Sequence, residues 1–270
     1  LYSNNFDDLL VKIIKDSERN IIKVQRNERK SLSPSSLLTF NECQKRFEYQ
    51  YVYNMPEKKA ISWEALRLGS FAHLVFEQGV KKNFKSLKEL IDLAREMHLQ
   101  DEWQSVDFSE IEHLIKVFFE RNKDKYDKHS LTEQPLKIDI DGIGFVGFAD
   151  RIDFRDDGVE IIDYKTGRQN IMPLHRRWQM GYYALAAAKL FGKVKKITLD
   201  MLKQEKPLEF EIDERGNAVS IYSDMSFNVN EVREEIISAA KQIMNAYENG
   251  FNPCPIEKNC EFCNEYVYGL

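Results

Sequence analysis

Between Gly147 and Gly167 the chain reads GFADRIDFRDDGVEIIDYKTG, two alternating strands around the turn RDDG. By that alternation Asp150 shares a face with Val146, Phe148, Ile152 and Phe154, while Asp163 and Lys165 share theirs with Val159 and Ile161. If Phe154 faces Val159, counting back from the turn sets Asp150 opposite Asp163; a two-residue shift sets Lys165 there instead. Either way three charged groups converge on a surface that should be apolar. Two carboxylates across a ladder repel each other, and an uncompensated buried carboxylate carries a heavy desolvation penalty. A divalent cation resolves the conflict. Mg²⁺ favours one or two carboxylates together with waters and phosphate oxygens, and the Tyr164 carbonyl can add another oxygen. A lysine beside such an ion can orient or deprotonate a nucleophile, or stabilise charge growing on a phosphate. The plainer alternative is an Asp–Lys ion pair at a strand end, with Arg151 and Asp153 as solvated partners on the other face.

Two helical stretches can bring further groups to this hairpin. In RLGSFAHLVFEQG, His73 and Glu77 stand four apart on one helical face, with Gly69 and Ser70 a turn earlier. A neutral imidazole there can add a nitrogen ligand, although a lone helical histidine is more often a core residue. In HRRWQMGYYAL, Gln179 and Tyr183 are again four apart, with Arg176 one turn before. That face can hold phosphates and orient the lysine, or it can be the solvated side of an amphipathic helix. Arg67, Lys81, Lys82, Arg176 and Arg177 sketch a basic path for a nucleic acid.

The elements around these residues follow from periodicity. Residues 1–30 are charged with a weak helical stripe. Ser33 caps a helix that starts at Pro34 and carries Leu37, Phe40, Cys43, Phe47 and Tyr51 on its apolar face. A second helix covers about 62–82, and residues 83–130 read as an inserted helical layer. Three strands are expected at about 136–141, 143–154 and 159–166, then a helix over 173–191, a strand at KVKKITLDMLK, a hairpin, and a helix over 229–249. This order predicts an α/β or α+β core.

The chain has 270 residues, 43% of them hydrophobic, and a net charge of −5, so it can build a real core and is no basic nucleic-acid coat. No apolar run reaches the length of a membrane span. A cytoplasmic setting is therefore expected, with the four cysteines as reduced thiols or metal ligands. The first residue is Leu, which suggests a processed chain or a piece of a larger protein.

Taken together and in this order, GSFAH with His73, GFADRID with Asp150, IIDYKTG with Asp163 and Lys165, and QMGYYAL with Gln179 and Tyr183 resemble the RecB-type branch of the PD-(D/E)XK nuclease superfamily. LSPSSLLTFNEC is similar to the opening helix of AddB-like and stand-alone members, and the resemblance spans about residues 32–266. It implies a restriction-endonuclease-like core, a mixed sheet between helices, and Mg²⁺- or Mn²⁺-dependent hydrolysis of DNA. It also implies His73, Asp150, Asp163 and the Tyr164 carbonyl as metal ligands and Lys165 as the catalytic lysine, with Gln179 and Tyr183 as helpers. Glu133 is a weaker candidate for a supporting acid, and Arg176 and Arg177 are candidates for the DNA path. The implied domain plan is an extension over 1–31 and a nuclease domain over 32–270, with an insert about 83–130 and a cysteine-bearing tail over 251–270.

An iron–sulfur subset of this family uses one early and three late cysteines to hold a [4Fe–4S] cluster, and Cys43, Cys254, Cys260 and Cys263 match that plan. The late triplet here runs C-x5-C-x2-C, whereas the family pattern is C-x2-C-x5-C and would require a cysteine at Gly269. Zinc is the alternative ligand. The expected activity is that of an exonuclease acting on linear single- or double-stranded DNA ends in recombination and repair, alone or with a helicase partner. A CRISPR-adaptation nuclease shares the cysteine plan. A catalytically silent DNA-binding module would have lost Asp150, Asp163 or Lys165, and all three are present.

Overall fold

A computed structural model describes residues 31–55, 63–167 and 173–269, with the side chains of 173–175 left aside. The helical stripe of residues 1–30 lies outside the described residues. The described residues divide into two compact units, Ser31–Leu38 with Lys58–Ile243, and Thr39–Glu57 with Met244–Leu270.

The first unit is built on a mixed sheet with strands in chain order: β1 (Leu131–Ile140), β2 (Ile143–Arg155), β3 (Gly158–Lys165), β4 (Val194–Met201), β5 (Leu208–Ile212), β6 (Asn217–Ser220) and β7 (Ser226–Asn228). All neighbours are antiparallel except β3 and β4. That parallel pair needs a crossover, and the helix over Pro173–Phe191 supplies it. The β1–β2 turn is Asp141-Gly142, both with positive φ, the pair that a two-residue hairpin turn of this twist demands.

Three helices, Trp63–Lys81, Leu87–His98 and Phe108–Asn122, cover one face of the sheet. Their apolar stripes bury Phe71, Phe76, Leu90, Ile111, Leu114 and Phe118, with Ile162 and Tyr164 of β3 in the same cluster. In chain order the helices are α1 (Pro34–Glu42), α2 (Gln44–Phe47), α3 (Trp63–Lys81), α4 (Leu87–His98), α5 (Phe108–Asn122), α6 (Pro173–Phe191), α7 (Val229–Asn249) and the short α8 (Glu261–Cys263). Helix α6 lies against the other face. The Tyr182 hydroxyl donates to the Leu136 carbonyl at 2.6 Å, and Phe154 meets Phe191 edge-on.

Helix α1 starts as expected: Ser33 Oγ accepts from Ser36 N–H at 3.2 Å, and Ser36 Oγ accepts from Ser33 N–H at 2.8 Å. It does not run on through Cys43. That residue is extended (φ −159°), and its sulfur accepts from Arg46 N–H to cap α2, so Cys43 breaks a helix rather than riding on one. The first strand also begins earlier than the expected 136, at Leu131, because an edge strand tolerates Pro135.

Candidate active site

The β2–β3 register sets Phe154 opposite Val159, the first of the two registers open to the sequence. The paired ladder stops at Arg151 and Ile162, one step before Asp150 and Asp163 would meet. There the strands part. Residues Asp163–Lys165 stay in register with Leu199–Met201 of β4, and the Asp150 carboxylate replaces the missing ladder contact, its Oδ2 accepting from Tyr164 N–H at 2.5 Å.

The facing of β2 changes at the same level. Phe145 and Gly147 touch Tyr182 of α6, whereas further on it is the even-numbered Phe154 that reaches α6. On β1, Glu133 stands between the pairs Thr132–Arg151 and Gln134–Ala149, level with Asp150, and adopts a left-handed φ of 46°. A left-handed glutamate inside a strand is uncommon and strained. The ligand atoms of His73, Glu133 and Asp150 all lie within 4.8 Å of one another, with His73 Nδ1 3.2 Å from Asp150 Oδ1. Two cis ligands of a six-coordinate ion with bonds of about 2.1 Å stand about 3 Å apart, so this donor set fits Mg²⁺ or Mn²⁺. Burial opposes the charge on His73, but Asp150 outweighs it and raises the imidazole pKa. Burial, then the Asp150 charge, raises Glu133. The sequence marked Glu133 only as a weak supporting acid just ahead of the first strand. It lies within that strand, and no signal in the sequence announces its backbone conformation.

Asp163 is 4% exposed. Its Oδ1 accepts from Gln179 Nε2 at 3.1 Å and Tyr183 Oη at 3.4 Å, and Gln179 also donates to Tyr183 Oη at 2.9 Å. Its Oδ2 is buried with no hydrogen-bond donor in good geometry; the Lys165 ammonium, 2.5 Å away, is the cation on it. Burial pushes the Asp163 carboxyl up to about 6, against the pull of Lys165. A carboxyl held at such a cost in the folded state, beside the His73, Glu133 and Asp150 donors, suits a cation site. Gly69 lets α3 approach the end of β3: a Cβ there would sit 3.1 Å from Thr166 Oγ1. Tyr164 reaches the site through its N–H on Asp150.

Arg151 and Asp153 are not solvated. Both are 0% exposed, because α5 and the helical cluster cover the face they share with Tyr164. The basic path divides. Arg177 is held by Glu235, Lys81 by Glu77, and Lys82 lies over the Phe84 ring. Arg67 and Arg176 have no carboxylate partner among the described residues, and each has a buried Nε without an acceptor.

A model of the PD-(D/E)XK nuclease superfamily matches residues 31–265. The chain belongs to that superfamily. A crystal structure of a candidate exonuclease from Eubacterium rectale is similar over 90% of this chain and 91% of its own, with a TM-score of 0.53 and 15% identity, a likeness of fold. No curated protein matches the chain significantly. As a superfamily member this nuclease acts on nucleic-acid phosphodiester bonds, and its relatives use divalent metals. No described helix is long and apolar enough to cross a membrane.

The second unit of the nuclease gathers Cys43, Cys254, Cys260 and Cys263, all four sulfurs lying within 4.8 Å of one another. Cys43 and Cys263 sulfurs are 3.4 Å apart, and Cys254 N–H donates to Cys263 Sγ at 3.3 Å. Burial raises the Cys43 and Cys254 thiols, so thiolates there need a cation. Tetrahedral ligation at about 2.3 Å sets sulfurs about 3.8 Å apart, which these spacings bracket. The four thiols converge as the ligands of a bound metal centre would.

Proposed function

We propose that this chain is a metal-dependent deoxyribonuclease of the RecB type, an exonuclease hydrolysing phosphodiester bonds at DNA ends in recombination or repair. One observation carries the reading: the β2–β3 ladder opens at Asp150, and the donors of His73, Glu133 and Asp150 converge beside the buried Asp163 and its ion-pair partner Lys165. In this reading His73, Glu133 and Asp150 hold Mg²⁺ or Mn²⁺, with Asp163 and the Tyr164 carbonyl as further oxygens. Such an ion, when bound, polarises the phosphate and lowers the pKa of water.

The remaining work falls to the chain's own groups. Gln179 and Tyr183 hold Asp163 Oδ1, so Oδ2 stays toward Lys165. The Lys165 ammonium, a quarter exposed, stabilises negative charge growing on the phosphate and can orient the attacking water. Arg176 lies one turn from Gln179 on the same face of α6 and, having no carboxylate partner among the described residues, is available to a backbone phosphate. Preference for ends is supported by the resemblance to exonucleases of this branch.

End-labelled linear DNA and closed circular DNA, incubated with and without Mg²⁺ or Mn²⁺, test the reading. Metal-dependent loss of linear DNA alone is expected. Equal cleavage of both forms would replace the exonuclease with an endonuclease, and no cleavage of either would favour the silent binding module.

For the second unit we infer a single tetrahedral ion, zinc, ahead of the cluster, because all four sulfurs lie within 4.8 Å of one another and one pair at 3.4 Å, near tetrahedral spacing. Metal analysis of protein purified without air should find zinc and no iron. An iron–sulfide chromophore would reverse this assignment.

A further inference from the structure

The nuclease reading leaves a fully buried ion pair without a task. Arg151 and Asp153 sit on the far face of the hairpin, joined Nε to Oδ1 at 3.1 Å. Asp153 is in turn fixed by the Ser130 hydroxyl at 2.7 Å and by Arg155 at 3.1 Å. As a stability device such a pair is poor, since apolar side chains of similar volume do as well or better. What an apolar pair could not do is grip a phenol. Arg151 Nη1 donates to the Tyr164 hydroxyl at 2.7 Å, and the guanidinium lies near the ring faces of Tyr126 and Tyr164. Its Nε meets Asp153 only as an ion pair and its Nη2 has no protein acceptor, while Arg151 lines a polar cavity of about 150 Å³ with Asn122, Lys196 and Asp200.

Tyr164 touches both helix- and strand-borne ligands. Its N–H holds Asp150 Oδ2 at 2.5 Å, and its ring meets the His73 imidazole edge-on at 6.2 Å. Phe76 and Phe118 each meet the Tyr164 ring in an edge-to-face contact at 5.3 Å.

We propose that Arg151 is a positioning residue: through the Tyr164 hydroxyl it holds the Tyr164 backbone and ring so that Asp150 presents Oδ1, and His73 its nitrogen, to one divalent ion. This rests on the metal assignment given under the proposed function. Asp153 fixes Arg151, so the chain of contacts runs Asp153, Arg151, Tyr164, Asp150 and His73.

The test is titration of the metal-free full-length protein with Mn²⁺ alone, followed by electron paramagnetic resonance, for wild type, Tyr164→Phe and Asp150→Asn. Tyr164→Phe keeps the ring and loses the grip; its Mn²⁺ affinity should fall by about tenfold, the usual effect of losing an outer partner. Its kcat should fall while KM for DNA stays. Unchanged Mn²⁺ affinity in folded Tyr164→Phe would overturn the proposal. Should that variant fail to fold, amide exchange of wild-type Tyr164 decides: slow exchange is expected, and exchange at the rate of an open strand end would overturn it. Asp150→Asn separates the two claims, because full Mn²⁺ binding without that carboxylate would sink the metal assignment itself.

Discussion

At the scale of single residues, the site is a set of charges held at a cost. Asp163 shows it most plainly. Its carboxyl titrates at about 6 in the folded chain against an ordinary 3.8. Below about pH 4 folded and unfolded chains both hold the proton; as pH rises the unfolded chain releases it first, so stability falls until about pH 6 and stays lower above it. The gap is worth on the order of 3 kcal/mol. We therefore expect Asp163→Asn to stabilise the metal-free protein near neutral pH in urea unfolding, with the gain vanishing toward pH 4; lower stability of the variant near neutrality would contradict this. Glu133 pays in backbone strain. Glu133→Gly should raise stability by roughly 0.5–1 kcal/mol while weakening Mn²⁺ binding about tenfold. A variant that binds Mn²⁺ as well as wild type would remove Glu133 from the ligand set. Lys165→Ala should lower kcat by about 10²–10³-fold with an unchanged circular dichroism spectrum. Asp150, Asp163 and Lys165 were legible in the sequence because charge on the apolar face of a strand breaks a pattern. Glu133 was not, because an acidic residue on an edge strand breaks none and its φ of 46° leaves no mark in residue type. Arg151 and Asp153 were misjudged for a related reason: the alternation that puts them on the second face says nothing about what covers that face.

At the scale of elements, glycines mark where helices must come close to the hairpin. At Gly147 a Cβ would lie 2.8 Å from the Tyr182 ring and 3.0 Å from that of Tyr183, the residue whose hydroxyl reaches Asp163. Gly147→Ala should therefore cost about 1–3 kcal/mol in thermal unfolding and depress kcat at temperatures where the protein is still folded. A folded variant with wild-type kcat would show that α6 can shift without disturbing Asp163. Most elements were readable from periodicity: the helix bounds at Pro173–Phe191 and Val229–Asn249 coincide with the hydrophobic pattern and its Gly stops. The readings failed where one residue overrode the pattern, at Cys43, whose sulfur caps α2, and at Pro135, which hid the first half of β1.

At the scale of the molecule, the described chain has two compact units with different sources of stability. The unit carrying the sheet has a broad apolar core. The unit of Thr39–Glu57 and Met244–Leu270 joins distant stretches through a small core of four thiols with Phe262 and Tyr268, and through the ring contacts of Phe40, Phe47 and Phe251. Its stability should therefore depend on the ion. Cys263→Ser, or chelation, should produce an earlier unfolding step seen by calorimetry; an unaltered melting curve would show that no ion holds these thiols together.

The central claim is that the charges of the hairpin are there to hold a divalent ion, and anomalous diffraction from Mn²⁺-soaked crystals tests it most directly. We expect a peak among His73, Glu133 and Asp150, beside Lys165. No peak there at saturating Mn²⁺, or one only elsewhere on the surface, would contradict it.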